Sequence, residues 1–256
     1  MKLTGRTILI TGGSAGIGLA FAAKFLELGN EVIITGRRRS VLDAVKARHP
    51  KLHTIQSDIA DPAQVAALAV RLKRDFPKLD VLMNNAGVGV AKNLKAPADD
   101  LAGLLAEMDI NVGGVIRMTS TLVGIITANQ GTIINVSSLL AFAPVPAMPI
   151  YSATKAAVHS YTQSLRFQLE GTGVEIIELM PPAVKTDMTS DFSESGFSMI
   201  TTDELVERTL AALRAGKSEI RPGQANLVAF MHRLAPNAVN RQFWKASKAF
   251  VPTAAG

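Results

Sequence analysis

Short, nearly unbroken apolar runs alternate along this chain with stretches whose apolar residues recur at helical spacing. The run RTILIT (6–11) predicts a buried strand, and IGLAFAAKFLELG (17–29) predicts a helix closed by Gly29. EVIIT (31–35) predicts the second strand, and SVLDAVKARH (40–49) a helix stopped by Pro50. LHTIQ (52–56) follows as the third strand. Asp61 can cap the next helix, with Pro62 in its first position, and that helix runs to about Asp75, before Pro77. LDVLMNN (79–85) is the fourth strand, and a long helical region is expected from about Ala98 to Ala128. GTIINVSS (131–138) and VEIIELM (174–180) are the fifth and sixth strands, flanking a helix that Pro149 opens and that continues to about Glu170. Strands apolar throughout, alternating with helices, mark a parallel sheet covered on both faces. Right-handed crossovers then make a doubly wound, Rossmann-like α/β fold. No repeat, low-complexity tract or linker interrupts the pattern, so a single domain spanning 1–256 is expected.

Composition narrows the function. Apolar residues make up 48% of the 256 and charged residues 19%, enough for a large core and contrary to disorder. No uninterrupted apolar run reaches the ~18 residues of a membrane-spanning helix. The N-terminus lacks a signal peptide's apolar stretch and cleavage site, so a cytoplasmic protein is expected. Cysteine is absent, which excludes disulfides and thiolate chemistry. His49, His53, His159 and His232 have no ligand-like spacing, and no metal site is expected. The net charge is +6, but the basic residues are scattered apart from GRRRS (36–40), and aromatics are only 5%. No nucleic-acid partner is expected from that pattern.

TGGSAGIG (Thr11–Gly18) follows the first strand and enters the first helix. Gly12 permits a tight turn, Gly16 a close approach of backbone to a pyrophosphate, and Gly18 tight helix–strand packing. The helix N-terminus adds free N–H groups and the positive end of its dipole. Ser14, Ala15 and Ile17 lie on the same turn and join the candidate dinucleotide contacts.

The TGxxxGxG spacing resembles the short-chain dehydrogenase/reductase family. NNAG (Asn84–Gly87), Asn111, Ser138, Tyr151 and Lys155 follow in that family's order, and the resemblance extends over roughly residues 3–215. It implies a catalytic set of Asn111, Ser138, Tyr151 and Lys155. On a helix, positions i and i+4 share a face, so Tyr151 and Lys155 point the same way. An ammonium near a phenol stabilises phenolate and lowers a pKa that is otherwise near ~10. Such a phenol can protonate an oxygen in one direction and deprotonate it in the other. Ser138 is expected to hydrogen-bond the substrate oxygen. Ser137 is its competitor, and strand alternation puts the two on opposite faces. Asn111 resembles the family asparagine that holds a water against the lysine, and its alternative role is local helix hydrogen bonding with a bend.

By the same resemblance Lys155, with Tyr151, also contacts the nicotinamide ribose. Asn85, Ala86 and Gly87 border the adenosine half, and Asn85 can equally be structural. Asp58, with Ile59 beside it, is expected near the adenine, its alternative being an ordinary turn aspartate. The second strand ends at Gly36, followed by Arg37, Arg38 and Arg39, with no carboxylate to meet a ribose hydroxyl. Guanidinium groups bind a 2′-phosphate, so the expected cofactor is NADP(H), with Arg37 the main contact, Arg38 second and Arg39 exposed to solvent. A solvated helix start is the alternative.

In MPPAVKTDM (180–188), Pro181 and Thr186 match the family pattern, and Pro182 stands where a glycine is usual. Pro181, Val184 and Thr186 are candidate nicotinamide contacts. The double proline is similar to a bacterial branch of the family associated with D-alanine esterification of teichoic acids. Residues 187–201 predict a lid with an apolar inner side, and 139–150 a second apolar wall. Together they favour a moderately large hydrophobic ketone, aldehyde or alcohol. The segment 224–250 is amphipathic and basic and carries Trp244; it can cover the pocket, build a subunit interface or touch a membrane surface. The resemblance also implies a homodimer or homotetramer through the two long helices. The expected function is an NADPH-dependent carbonyl reductase, reversible as an alcohol dehydrogenase. The alternatives are a non-catalytic NADP(H)-binding regulator and an envelope-associated interaction protein on the same fold.

Overall fold

β1 (Thr7–Thr11) is buried throughout because both of its faces are covered: Ile8 and Ile10 enter one core, Leu9 the other. The computed structural model describes residues 1–95, 101–192 and 198–252, without the side chains of residues 101, 102, 191 and 192. The same alternation runs through β2 (Glu31–Gly36), β4 (Leu79–Asn84), β5 (Thr132–Val136) and β6 (Glu175–Leu179). With β3 (His53–Gln56) and β7 (Glu219–Ile220) they form one parallel sheet in the order β3-β2-β1-β4-β5-β6-β7. The strand order reverses between β1 and β4, and the crevice beyond their carboxyl ends is where such sheets bind ligands.

One face is closed by α1 (Gly16–Glu27), α2 (Arg39–Arg48) and α8 (Thr202–Arg214), through Phe21, Phe25, Leu42, Val45, Leu205 and Leu210. The other is closed by α3 (Pro62–Asp75), α6 (Gly114–Ala128) and α7 (Pro149–Gln168), through Leu68, Leu72, Met118, Leu122 and Leu165. Each such side chain contributes ~1.5–3 kcal/mol on full burial, far more than a helix-capping bond. The caps set where the helices begin. Asp61 accepts from the amides of Ala63 and Gln64 at 2.8 and 3.2 Å, as its position before Pro62 requires.

The long helix expected from about Ala98 to Ala128 is interrupted. Residues 98–100 lie outside the described residues. Then come α4 (Leu101–Leu104), α5 (Ala106–Met108) and a π-helical turn, Asp109–Gly113, before α6. Gly114 opens α6 at a close approach: a Cβ there would lie 2.4 Å from Ile59 Cδ1, so the helix presses against the loop after β3. The span Ala106–Ala128 has 23 residues and contains an 18-residue window of mean hydropathy 1.3, enough in length and composition to cross a membrane. Arg117, Thr119 and Ser120 break its apolar run, and Met118, Leu122 and Ile126 are buried in the core shared with α3 and β4, as in a core helix.

The segment 224–250 forms two helices, α9 (Ala225–Leu234) and α10 (Pro236–Ser247). Pro236 divides them, because the residue before a proline is driven out of helical geometry and Ala235 sits at φ −141°. α8 and β7 had no counterpart among the expected elements.

Candidate active site

The turn after β1 is shaped by two glycines in the left-handed region, Gly12 at φ +65° and Gly16 at +52°. A Cβ on Gly12 would lie 2.8 Å from Ala86 Cα, so the turn packs directly on the backbone after β4. Asn85 fastens the two together: its amide nitrogen donates to the carbonyls of Thr11 and Gly12 at 3.0 and 3.3 Å. Thr11 Oγ1 in turn accepts from the backbone amides of Asn85 and Ala86 at 3.0 and 3.1 Å. The Asn85 side chain is therefore a clamp on the glycine turn.

These strand ends open into a cavity of about 740 Å³, within the range of small-molecule and cofactor sites. Gly12, Ser14, Ala15, Gly16 and Ile17 line it at one end, with Arg37, Arg38, Asp58, Ile59, Asn85, Ala86 and Gly87. Ser138, Tyr151, Lys155, Pro181, Val184 and Thr186 line its middle, joined by Pro182. Of the residues singled out from the sequence, Gly18 and Asn111 stand behind the wall. A Cβ on Gly18 would be 2.4 Å from the Gly12 carbonyl oxygen, which is a packing role. Arg37, Arg38 and Arg39 are all exposed, and Arg39 is paired with Asp43 at 3.0 Å. Asp58 uses one oxygen to accept from Ala60 N at 3.0 Å and keeps the other for the cavity.

Tyr151 and Lys155 share a face of α7, with the Lys155 Nζ 5.5 Å from the centre of the phenol ring. Lys155 is buried and donates to the Val136 carbonyl at 2.9 Å. An ammonium has three protons, so two remain for other acceptors. Ser138 stands in extended backbone after β5, and its Oγ accepts from Leu140 N at 3.1 Å, leaving the hydroxyl proton for donation. Ser137 is committed elsewhere: its hydroxyl donates to the buried Glu178, which also pairs with His159 at 2.9 Å. Asn111, on the π-helical turn, is 1% exposed. Its Oδ1 accepts from Val88 N at 2.8 Å, and its Nδ2 donates to the Val88 carbonyl and to Thr154 at 2.8 and 3.0 Å. It holds the backbone beside Gly87 against α7, and its side-chain bonds go to these groups rather than to Lys155.

The short chain dehydrogenase profile matches residues 6–196. The chain belongs to the short-chain dehydrogenase family. It is 40% identical over 224 residues to the oxidoreductase DltE of Bacillus subtilis (strain 168), covering 86% of this chain and 89% of that one. It is 32% identical over 217 residues to a sulfoacetaldehyde reductase of Chromohalobacter salexigens, covering 78% and 85%. The crystal structure of a short chain dehydrogenase from Burkholderia cenocepacia J2315 in complex with NADP superposes with a TM-score of 0.83 at 28% identity, covering 95% of this chain and 99% of that one.

In this short-chain dehydrogenase the electrostatics of the tyrosine depart from expectation. The phenol is not brought towards neutrality in the protein alone; burial, reinforced by the carboxylate of Glu107, pushes it up to about 12. Burial also lowers Lys155 to about 8. Loss of water around both groups outweighs their mutual attraction at this separation. Sequence reasoning missed Glu107. It lies on α5 and is 3% exposed. Burial raises its own pKa, opposed by the Val90 amide and the Lys92 ammonium. The available signal was an acidic residue at helical spacing, four places before Asn111.

The far end of the cavity is apolar. Leu139, Leu140, Val145 and Met148 form the wall before Tyr151 as expected, and Met188 and Met199 come from the 187–201 segment. Its residues 193–197 lie outside the described residues. The base of that segment is clamped by a bridge between Val184 and Ile200. The remaining wall comes from α9 and α10, through Leu227, Val228, Met231, Val239 and Phe243.

Proposed function

We propose that this short-chain dehydrogenase is an NADPH-dependent reductase of moderately large apolar ketones and aldehydes, working in the cytoplasm as a single dinucleotide-binding domain. One observation carries the reading: Ser138, Tyr151 and Lys155 line the middle of a cavity with a glycine turn and two exposed arginines at one end and apolar side chains at the other. The residues fit a dinucleotide because Gly12 and Gly16, both at positive φ, line the cavity with backbone at the start of α1, and because no carboxylate ends β2 to repel a 2′-phosphate. The glycine turn would hold the pyrophosphate, Arg37 and Arg38 the 2′-phosphate, and Lys155 a ribose hydroxyl. Reduced nicotinamide, when bound, supplies the hydride that adds to the carbonyl carbon.

The chain's own groups handle the proton. Ser138 donates a hydrogen bond to the substrate oxygen as negative charge grows there. Tyr151 then gives its proton to that oxygen, and Lys155 stabilises the phenolate left behind. A phenol held near 12 keeps its proton until an alkoxide forms. This suits the reduction direction, since an alkoxide is a much stronger base than a phenolate. Asn111 positions the Gly87–Val88 backbone that borders the site. The exposed Ile116 on α6 and Phe167 on α7 support a dimer formed through those helices.

The test is oxidation of NADPH and of NADH by the purified protein across apolar, charged and sugar carbonyls. Turnover with NADPH and apolar ketones or aldehydes is expected. Tight NADPH binding without turnover of any carbonyl would favour a dinucleotide-sensing regulator instead.

A further inference from the structure

α9 shows solvent the apolar face that also walls the cavity. Leu227, Phe230, Met231 and Leu234 are 58, 61, 45 and 69% exposed. Their spacing of three, four and seven places puts them on one side of the helix. Leu227 and Met231 belong to the cavity wall as well, so the apolar surface runs without a break from the outside of α9 into the cavity. On α10 the chain's single tryptophan, Trp244, is 38% exposed.

The charges carried by α9 and α10 themselves have one sign. No aspartate or glutamate occurs after Glu219. Arg233, Arg241, Lys245 and Lys248 are all exposed, and among the described residues none forms an ion pair. Elsewhere on the described surface positive charge is interspersed with acidic residues, some of them paired, as in Arg39–Asp43, Arg74–Asp75 and Arg208–Glu204. Two helices that present Leu, Phe, Met and Trp and whose only charged residues are basic complement a surface that is oily beneath and anionic on top.

We propose that α9 and α10 dock the protein on a bilayer containing anionic lipids, with the mouth of the cavity against the lipid. A second copy of the chain is the weaker occupant for this face. Copies would bring four unpaired positive charges on each side together, and the exposed Ile116 and Phe167 lie on other helices. Docking itself does not depend on the reductase reading. That an apolar carbonyl enters the cavity from the bilayer does.

The intrinsic probe is Trp244. The full-length protein is titrated with phosphatidylcholine vesicles and with vesicles that also contain phosphatidylglycerol, and emission is recorded alongside co-flotation. The expected result is a blue shift and flotation with the anionic vesicles. Affinity should fall roughly fivefold for each of Arg233, Arg241, Lys245 and Lys248 changed to Gln. The double substitution Phe230→Glu, Leu234→Glu touches neither the cavity wall nor a buried position. It should abolish flotation while leaving NADPH binding and the mass in solution unchanged. No shift and no flotation of the wild type, or flotation of the double variant equal to wild type, would overturn the proposal. So would a drop in mass of the double variant, which would make this face a contact between copies. NADPH binding and turnover of a soluble carbonyl are measured on the same samples, so failure of docking and failure of the reductase reading are read separately.

Discussion

At the Gly12 end of the cavity the wall is backbone. Two glycines at positive φ, the Asn85 clamp and the Thr11 hydroxyl fix it through directional bonds between strand ends. At the Met231 end the wall is side chain. Met188, Met199, Met231 and Phe243 meet there on segments that leave the sheet. A backbone wall accepts one shape and cannot absorb even a methyl group. A wall of methionines is polarizable and unbranched and can repack around different apolar guests. The first end thus defines the cofactor closely, and the second defines a substrate class more loosely.

Substitutions at the two ends should therefore differ in severity. Gly12→Ala is expected to have the largest effect: its Cβ would meet Ala86 Cα at 2.8 Å in a conformation alanine resists. Loss of measurable NADPH binding by fluorescence, with a lower Tm, is the expected result, and retained affinity would mean the turn is not the pyrophosphate cradle. Arg37→Asp should come next. Losing a charge-assisted bond to phosphate, at ~1.5–3 kcal/mol, weakens NADPH by about 10–100-fold and moves preference towards NADH. Unchanged preference would remove Arg37 as the phosphate contact.

Met231→Ala should be milder, raising KM several-fold for a bulky ketone while leaving kcat for a small one unchanged. A loss of both would show that this wall is as rigid as the other.

Glu107→Gln should be the smallest change in rate and the most informative in pH. Removing a carboxylate that raises Tyr151 should shift the pH profile of alcohol oxidation to lower pH. Because the folded protein raises the pKa of Glu107, the native state holds its proton more tightly than the unfolded chain. Stability then falls as pH rises through that range, so the Gln variant should gain Tm at neutral pH and gain little in acid. A profile and Tm that stay where they were would mean Glu107 does not act on the tyrosine.

The same contrast explains what could be read in advance. β1 to β6 and the glycine turn were legible because buried parallel strands are apolar on both faces and a left-handed turn demands glycine. The cavity residues from Gly12 to Thr186 followed from motif spacing. A bend at Asn111 was legible as an alternative, but the π-helical form of Asp109–Gly113 was not, since the same residue pattern runs through a π-helical turn as through a regular helix. α8 announced itself by Thr201 as cap with Asp203 and Glu204 in the first turn, a signal that was present and not used. The phenol's shift needed three dimensions, because its size depends on how much water the fold removes from Tyr151 and on a carboxylate 44 positions away.

The account depends on Tyr151 handing a proton to a substrate at the junction of these two ends. The most direct measurement is steady-state NADPH oxidation with an apolar ketone by wild type and Tyr151→Phe, with NADPH affinity measured on both. The predicted result is unchanged affinity and a fall of ~10²–10⁴-fold in kcat/KM for the variant. Equal turnover by the two proteins would contradict it.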